Sequence, residues 1–239
     1  MLFGNVGAAG RETASEPDRR LLAVSRRAAT IPGMSEPKAP TISADDWQRR
    51  YLAGDAPWDS GLVSRELRQL VDSGELAPPG LAIELGCGTG TNAVYLAQQG
   101  FTVTAVDFAA EAVERAQARA RAAAVDVRFV CGDATKLDDV AGPFDLVFDR
   151  ACYHCVRRAG QLSDYVKTVE RLTRPGARLF ILAGNPDAGE AGGPPKVRAA
   201  ELVGDFERSF CLERLTAFRF EDAAGVAGPL GWSAMFVRR

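Results

Sequence analysis

Eleven residues, Leu81-Ala-Ile-Glu-Leu-Gly-Cys-Gly-Thr-Gly-Thr91, constrain the fold more than any other stretch of the chain. A short apolar run carries an acid, Glu84, near its end, and three glycines follow at alternate positions, Gly86, Gly88 and Gly90. Asn92-Ala-Val-Tyr-Leu-Ala97 then continues with helical spacing. Strand, tight turn and helix in this order let a nucleotide-like ligand approach main chain unobstructed by side chains. The spacing narrows the ligand. A dinucleotide fingerprint puts its third glycine at the position of Thr91, one residue later than Gly90. A Walker pattern fails as well, because no Gly-Lys-Ser/Thr follows.

The chain of 239 residues is 46% apolar, enough for one ordinary domain with a full core. Its net charge of -2 lacks the basic footprint of a nucleic-acid binder, so a nucleic-acid partner is not expected. No apolar run approaches the roughly 20 residues that span a bilayer, and no membrane partner is expected. The five cysteines, Cys87, Cys131, Cys152, Cys155 and Cys211, are odd in number and scattered. That fits free thiols in a reducing, cytoplasmic setting better than a disulfide framework. Cys152-x-x-Cys155 invites a zinc reading, but a second Cys pair is missing and the single histidine, His154, lies between the two. Four ligands cannot be assembled from this set in the usual way, and no metal is expected.

Residues 1–40 hold Gly, Ala, Ser, Pro and five arginines with few large apolar side chains, and read as a disordered extension. The arginines also suit a transit peptide, against which Glu12, Glu16, Asp18 and Glu36 weigh; translation from Met34 is a simpler reading. Residues 41–239 read as one domain. A short helix is expected around Asp45–Leu52, capped near Ser43, then a turn at Pro57-Trp58-Asp59-Ser60-Gly61 and a second helix from Arg65 to Ser73. Strands are expected at 81–85, 101–106, 126–131, 144–149 and 177–183, with helices at 91–99, 110–123 and 160–173. The strands are short and nearly continuous in apolar character, as strands buried on both faces are. After a loop at 184–195, residues 208–219 and 233–238 alternate like an antiparallel hairpin. The expected fold is α/β: a doubly wound, mostly parallel seven-stranded sheet closed by a C-terminal hairpin, with ligands at the carboxyl ends of its strands.

Asp107 ends the second strand, 21 positions after Gly86, where a carboxylate can accept from both ribose hydroxyls of an adenosine. It is equally placed to cap the following helix, and the two roles are compatible. Gly132-Asp133-Ala134 ends the third strand, where Asp133 can receive an adenine amino group or serve simply as a turn residue. Glu84 beside the glycine turn is a poor neighbour for a diphosphate and suits a cationic ligand. An adenosine with a cationic amino-acid tail is S-adenosylmethionine.

Glu84-Leu-Gly-Cys-Gly-Thr-Gly90, Asp107, Gly132-Asp133-Ala134 and Phe144-Asp-Leu-Val-Phe-Asp149 resemble, in order and spacing, the motifs of class I S-adenosylmethionine-dependent methyltransferases. The resemblance covers residues 80–183. Trp47, Tyr51 and Pro57-Trp58-Asp59-Ser60-Gly61, with Asp149-Arg150 and Gly193-Pro194-Pro195, further resemble the superfamily of thiopurine, thiol, halide and tellurite methyltransferases. The resemblance implies a Rossmann-like methyltransferase fold and an enzyme that methylates a small molecule, with S-adenosylhomocysteine as product. It implies a cofactor site of Trp47, Trp58, Glu84, Gly86, Cys87, Gly88, Gly90, Asp107, Phe108, Asp133, Ala134 and Asp149. In that superfamily the N-terminal tryptophan segment covers the cofactor, so Trp47 and Trp58 become candidates to pack on the sulfonium, or else to pin helices to the core. Arg150 carries over as a substrate-facing cation, with an ion pair to Asp149 as its structural alternative. His154 is a candidate general base, though a lone histidine is more often structural.

Ala151-Cys-Tyr-His-Cys155 departs from the small-residue continuation of the mammalian thiopurine enzymes, which puts the acceptor in doubt. It is not Asn/Asp-Pro-Pro-Tyr/Phe either, which disfavours methylation of a base or amide nitrogen. The favoured acceptor is a thiol or another soft nucleophile. Alternatives are O- or N-methylation of a natural product or quinone, and non-catalytic binding of the cofactor; an NAD-dependent oxidoreductase is disfavoured by the glycine spacing. A monomer is expected.

Overall fold

The computed structural model describes residues 43–187, 193–221 and 227–239. The readings made for residues 1–40 and for part of the 184–195 loop lie outside them.

The chain opens with α1 (Ala44–Leu52) and α2 (Arg65–Asp72). Then β1 (Leu81–Leu85), α3 (Thr91–Gln98), β2 (Thr102–Asp107), α4 (Ala110–Ala122) and β3 (Val127–Cys131) alternate. β4 (Phe144–Arg150), α5 (Cys152–Arg158), α6 (Leu162–Leu172) and β5 (Thr173–Gly184) follow, and α7 (Ala199–Phe206), β6 (Phe210–Glu221) and β7 (Ala227–Arg238) end the chain. The seven strands form one sheet in the order β3-β2-β1-β4-β5-β7-β6. β1 to β5 run parallel, and β7 is antiparallel to both of its neighbours. The chain winds outward through β2 and β3, then returns to β4 on the other side of β1. The strand order therefore reverses between β1 and β4, where doubly wound sheets leave a crevice at their carboxyl ends.

Alternate residues of each inner strand feed opposite layers. Leu146 and Phe148 of β4 pack with Leu67, Leu70 and Leu96 of the α2 and α3 layer. Val147 between them packs with Tyr165, Val169 and Phe206 of the opposite layer. Both faces are covered, which accounts for strands that read as continuous apolar runs. Among the described residues, no helix is long and apolar enough to cross a membrane.

The expected elements are present, with three differences. Residues 152–158, to which the sequence assigned no element, form helix α5. Ala151 takes a left-handed turn (φ 76°), and Cys152 and Cys155 lie in a helix. The Asp149 carboxylate holds that helix by accepting from the Cys152 N–H at 3.0 Å and the Tyr153 N–H at 2.9 Å. The seven-residue run Cys-Tyr-His-Cys-Val-Arg-Arg contains few strong helix formers, so this cap is what starts it. Helix α7 was not expected. β7 begins at Ala227, six residues before Ser233, across Gly228, Pro229 and Gly231. Those residues read locally as a turn, but a Cβ on Gly231 would come within 2.8 Å of the Phe220 ring, so the glycine is set by what packs over it.

Asp149 is fully buried and also accepts the Tyr165 hydroxyl at 2.6 Å. Asp149→Ala leaves two N–H groups and this hydroxyl without their acceptor, and should cost at least about 2 kcal/mol in urea unfolding. Asp149→Asn, which keeps part of the set, should cost less; equal stability of Asp149→Ala and wild type would exclude this role.

Candidate active site

The glycine turn sits at the carboxyl end of β1, at the sheet's reversal point. All three of its glycines have positive φ, 70° at Gly86, 53° at Gly88 and 79° at Gly90. They also serve the protein's own packing. A Cβ on Gly86 would lie 2.6 Å from Cys152 Cβ of α5, and one on Gly90 2.7 Å from Ala116 Cβ of α4. The Tyr51 hydroxyl lies 2.9 Å from where a Gly88 Cβ would sit. Backbone here touches side chains from three separate elements.

β1 alternation sends Ile83 and Leu85 to one layer and Ala82 to the other. Glu84 shares the Ala82 face and meets α3. Its Oε1 accepts from Asn92 Nδ2 at 3.2 Å, and Asn92 Oδ1 in turn accepts the Ser64 N–H at 2.9 Å. Glu84 is 1% exposed, and its Oε2 is buried with no hydrogen-bond partner. Burial pushes its pKa up to about 8, against the opposing pull of Asn92 and the Arg150 guanidinium.

The segment between α1 and α2 closes over this turn. Trp58 donates its indole N–H to the Tyr51 hydroxyl at 2.9 Å, and the Thr89 hydroxyl donates to Asp59 at 2.7 Å. Arg150, at the end of β4, donates from Nη1 to the Trp58 carbonyl at 3.1 Å and lies 5.3 Å from the Phe220 ring centroid. Burial lowers the Arg150 pKa, while Glu84, Glu66 and Asp59 oppose that shift. The cavity this leaves is open to solvent and is lined among others by Trp58, Glu84, Gly86, Cys87, Gly88 and Arg150.

Asp107 lies beside the cavity, its Oδ2 accepting the Gly88 N–H at 2.8 Å and its Oδ1 the Ala109 N–H at 2.9 Å. A carboxylate has about four lone-pair sites, so each oxygen can accept once more. Asp107 faces Cys131 in the β2–β3 register, which brings Phe108 close to the Gly132-Asp133-Ala134 turn. There Asp133 Oδ1 accepts from the Thr135 N–H at 2.8 Å, Ala134 is buried, and Phe108 is exposed.

Gly90, Asp107, Phe108, Asp133 and Ala134 do not line the cavity itself, and Trp47, Asp149 and His154 are engaged elsewhere. Trp47 packs edge-on against Trp58, centroids 4.9 Å apart, and backs it from behind. Asp149 is turned inward onto α5 and Tyr165, because the strand parity that exposes Arg150 buries its neighbour. His154 is a buried acceptor: its Nδ1 takes the Gly184 N–H at 3.0 Å. Burial and the nearby Arg150 push its pKa down to about 3, so it stays neutral and already engaged rather than serving as a base. Arg150 bonds the Trp58 carbonyl instead of pairing with Asp149. Sequence reasoning missed Asn92, Thr91 and Asp59 as site residues; all three line the cavity. Asp59 stood in the Pro57–Gly61 motif, and Asn92 carried a signal as a polar residue just ahead of the apolar run of α3.

Among the described residues, no group of three or more His, Cys, Asp or Glu could hold a metal ion. A family model described as thiopurine S-methyltransferase matches residues 42–226, most of the chain. The chain belongs to the thiopurine S-methyltransferase family. It is a class I S-adenosylmethionine-dependent methyltransferase. A probable thiol methyltransferase 2 of Arabidopsis thaliana is 32% identical over 155 residues, which span 64% of this chain and 67% of that protein. A 2-heptyl-1-hydroxyquinolin-4(1H)-one methyltransferase of Mycobacteroides abscessus is 28% identical over 157 residues, 63% of this chain and 66% of its own. Among solved structures, one described by the conversion of a disulfide bond into a thioacetal group during echinomycin biosynthesis superposes with a TM-score of 0.71. It is 24% identical and covers 82% of this chain and 93% of its own.

As a member of this family with Glu84 buried in its cavity, the protein should show a pH signature. The folded chain holds the Glu84 proton to about pH 8, whereas an unfolded chain releases it near 4.5, so this group's contribution to stability falls as pH rises between the two. His154 acts oppositely below its ordinary pKa of 6.5 and cancels in a difference. Glu84→Gln is expected to gain on wild type, in ligand-free urea midpoints, steadily from about pH 5 to about pH 8. A pH-independent difference would refute the buried acid's raised pKa.

Proposed function

We propose that the protein methylates a small thiol, or another soft nucleophile, held at Arg150. The observation that carries this is the pairing, in one cavity, of a buried acid with an unpartnered oxygen and a half-buried guanidinium. S-adenosylmethionine, when bound, supplies an electrophilic methyl group on a sulfonium, and S-adenosylhomocysteine is left after transfer. Glu84 Oε2 lacks a partner and would accept from the methionine-end ammonium, ionising as the cation arrives. Gly86, Cys87, Gly88 and Gly90 form the backbone seat beside it, with Trp58 next to the sulfonium. Asp107 takes the ribose hydroxyls on its free lone pairs, and Phe108, Asp133 and Ala134 border the adenine.

On the acceptor side, the Arg150 charge favours the ionised form of a thiol. The thiolate sulfur forms the new bond to carbon while the old carbon–sulfur bond breaks, and the thiol proton has already left to solvent. A thiolate needs no general base, which agrees with His154 being neutral and occupied. What the chain contributes is alignment and exclusion of water, which can recover roughly 7–11 kcal/mol of a barrier. Likeness to a hydroxyquinolinone methyltransferase favours a second reading, a ring-borne hydroxyl as acceptor. A cytoplasmic setting fits the five free thiols, and the proposed enzyme is a monomer that uses no metal.

Incubation with labelled S-adenosylmethionine and a panel of thiols, halides, phenols and amines tests the proposal. Thiols are expected to turn over fastest; labelled phenols with inert thiols would establish the hydroxyl reading instead, and no product at all would leave a binding protein. In S-adenosylhomocysteine calorimetry, Asp107→Ala should lose about tenfold or more in affinity, the scale of one charge-assisted hydrogen bond. Arg150→Ala should lower kcat/KM for the thiol by about thirtyfold or more while changing that affinity less. Equal losses in both would argue against its acceptor role.

A further inference from the structure

A second, smaller and open cleft adjoins the first at Arg150. Ser60, Leu62 and Arg150 line both cavities, so they form the partition between them. The remaining apolar wall of the second cavity includes Phe218 and Phe220 of β6. Two residues apart on a strand, these side chains share one face, and their ring centroids are 4.6 Å apart. Both rings lie over Gly231 of β7, which pairs with Phe218 in the ladder. A Cβ on Gly231 would come within 2.8 Å of Phe220 and closer still to Phe218, so the glycine is a notch that the two rings fill. At 5.3 Å from its centroid, the Phe220 ring faces the Arg150 guanidinium.

Arg65 lies 3.7 Å from Glu221 and 3.7 Å from Glu66; all three line the cleft and largely offset one another. At the partition stands Arg150, half-buried and tied to the Trp58 carbonyl. An acceptor entering here meets aromatic surface along its body and a cation at its leading atom. An inorganic anion can use the cation but has no body to meet the rings.

We propose that Phe218 and Phe220, seated in the Gly231 notch, are the acceptor-selecting wall, and that they favour organic acceptors with an apolar body over inorganic anions. This rests on the methyltransferase reading above. It adds to that reading a route, two specificity-determining side chains and a division within the class of soft nucleophiles.

The test compares wild type with Phe218→Ala, Phe220→Leu and Gly231→Ala, using benzenethiol and iodide as acceptors. S-adenosylhomocysteine titration and circular dichroism report the fold of each variant. Wild type should prefer benzenethiol. Phe218→Ala should lower kcat/KM for benzenethiol about tenfold, the scale of one lost aromatic contact, and leave iodide within about twofold. Phe220→Leu should act in the same direction more weakly, and Gly231→Ala should reproduce the loss by lifting both rings. A thiol-to-iodide ratio unmoved in variants that bind S-adenosylhomocysteine normally overturns the selecting wall and leaves the thiol reading intact. Loss of that binding in all three overturns it too, since the rings would then serve the fold. A wild type that methylates neither acceptor overturns the reading and this inference together.

Discussion

Direct contact between the backbone of the Gly86–Gly90 turn and three separate elements is the constraint from which the rest of the site follows. Cys152 of α5 touches the position of Gly86, Tyr51 that of Gly88 and Ala116 of α4 that of Gly90. A side chain at any of these positions would push away one element and, with it, one wall of the cavity. Lifting α5 would loosen the Asp149 cap below it, and lifting Tyr51 would release the Trp58 indole that donates to its hydroxyl. The turn therefore does two jobs with one backbone conformation: it leaves room for a ligand and closes the protein around that room.

Electrostatics within the cavity are set by burial more than by pairing. Glu84 is out of water and Arg150 is half-buried, and each opposes the other's desolvation only in part. Glu84 retains an unpartnered oxygen, a costly feature unless something cationic completes it. Arg150 is held in place by direct contacts to a carbonyl and a ring face, while Glu84, Glu66 and Asp59 favour its charge from farther away. A guanidinium so placed is oriented with no direct hydrogen bond to a carboxylate, and it keeps donors for an anionic acceptor.

Much of the fold was legible because its signals are local. Apolar runs at 81–85 and 144–149, turn glycines and amphipathic spacing each report on a few residues at a time. Helix α5 escaped because its start depends on the side chain of Asp149, which belongs to the preceding strand. The early start of β7 escaped because Gly228, Pro229 and Gly231 resemble a turn until the Phe218 and Phe220 rings are placed over them. Within the site, the neighbours in the motif separated once parity was known: Arg150 faces the cavity, while Asp149 and His154 face inward.

The sequence by itself determined the α/β architecture, the place of the ligand crevice and the methyltransferase family, since motif order and spacing survive without knowledge of contacts. Tertiary structure alone decided which of the motif residues share a cavity, what protonation each holds, and which aromatic rings back the guanidinium. Those properties arise from burial and from contacts between residues far apart in the chain, 92 positions in the case of Trp58 and Arg150. Burial and long-range contact are made by the packed layers together, and no local window of sequence contains them.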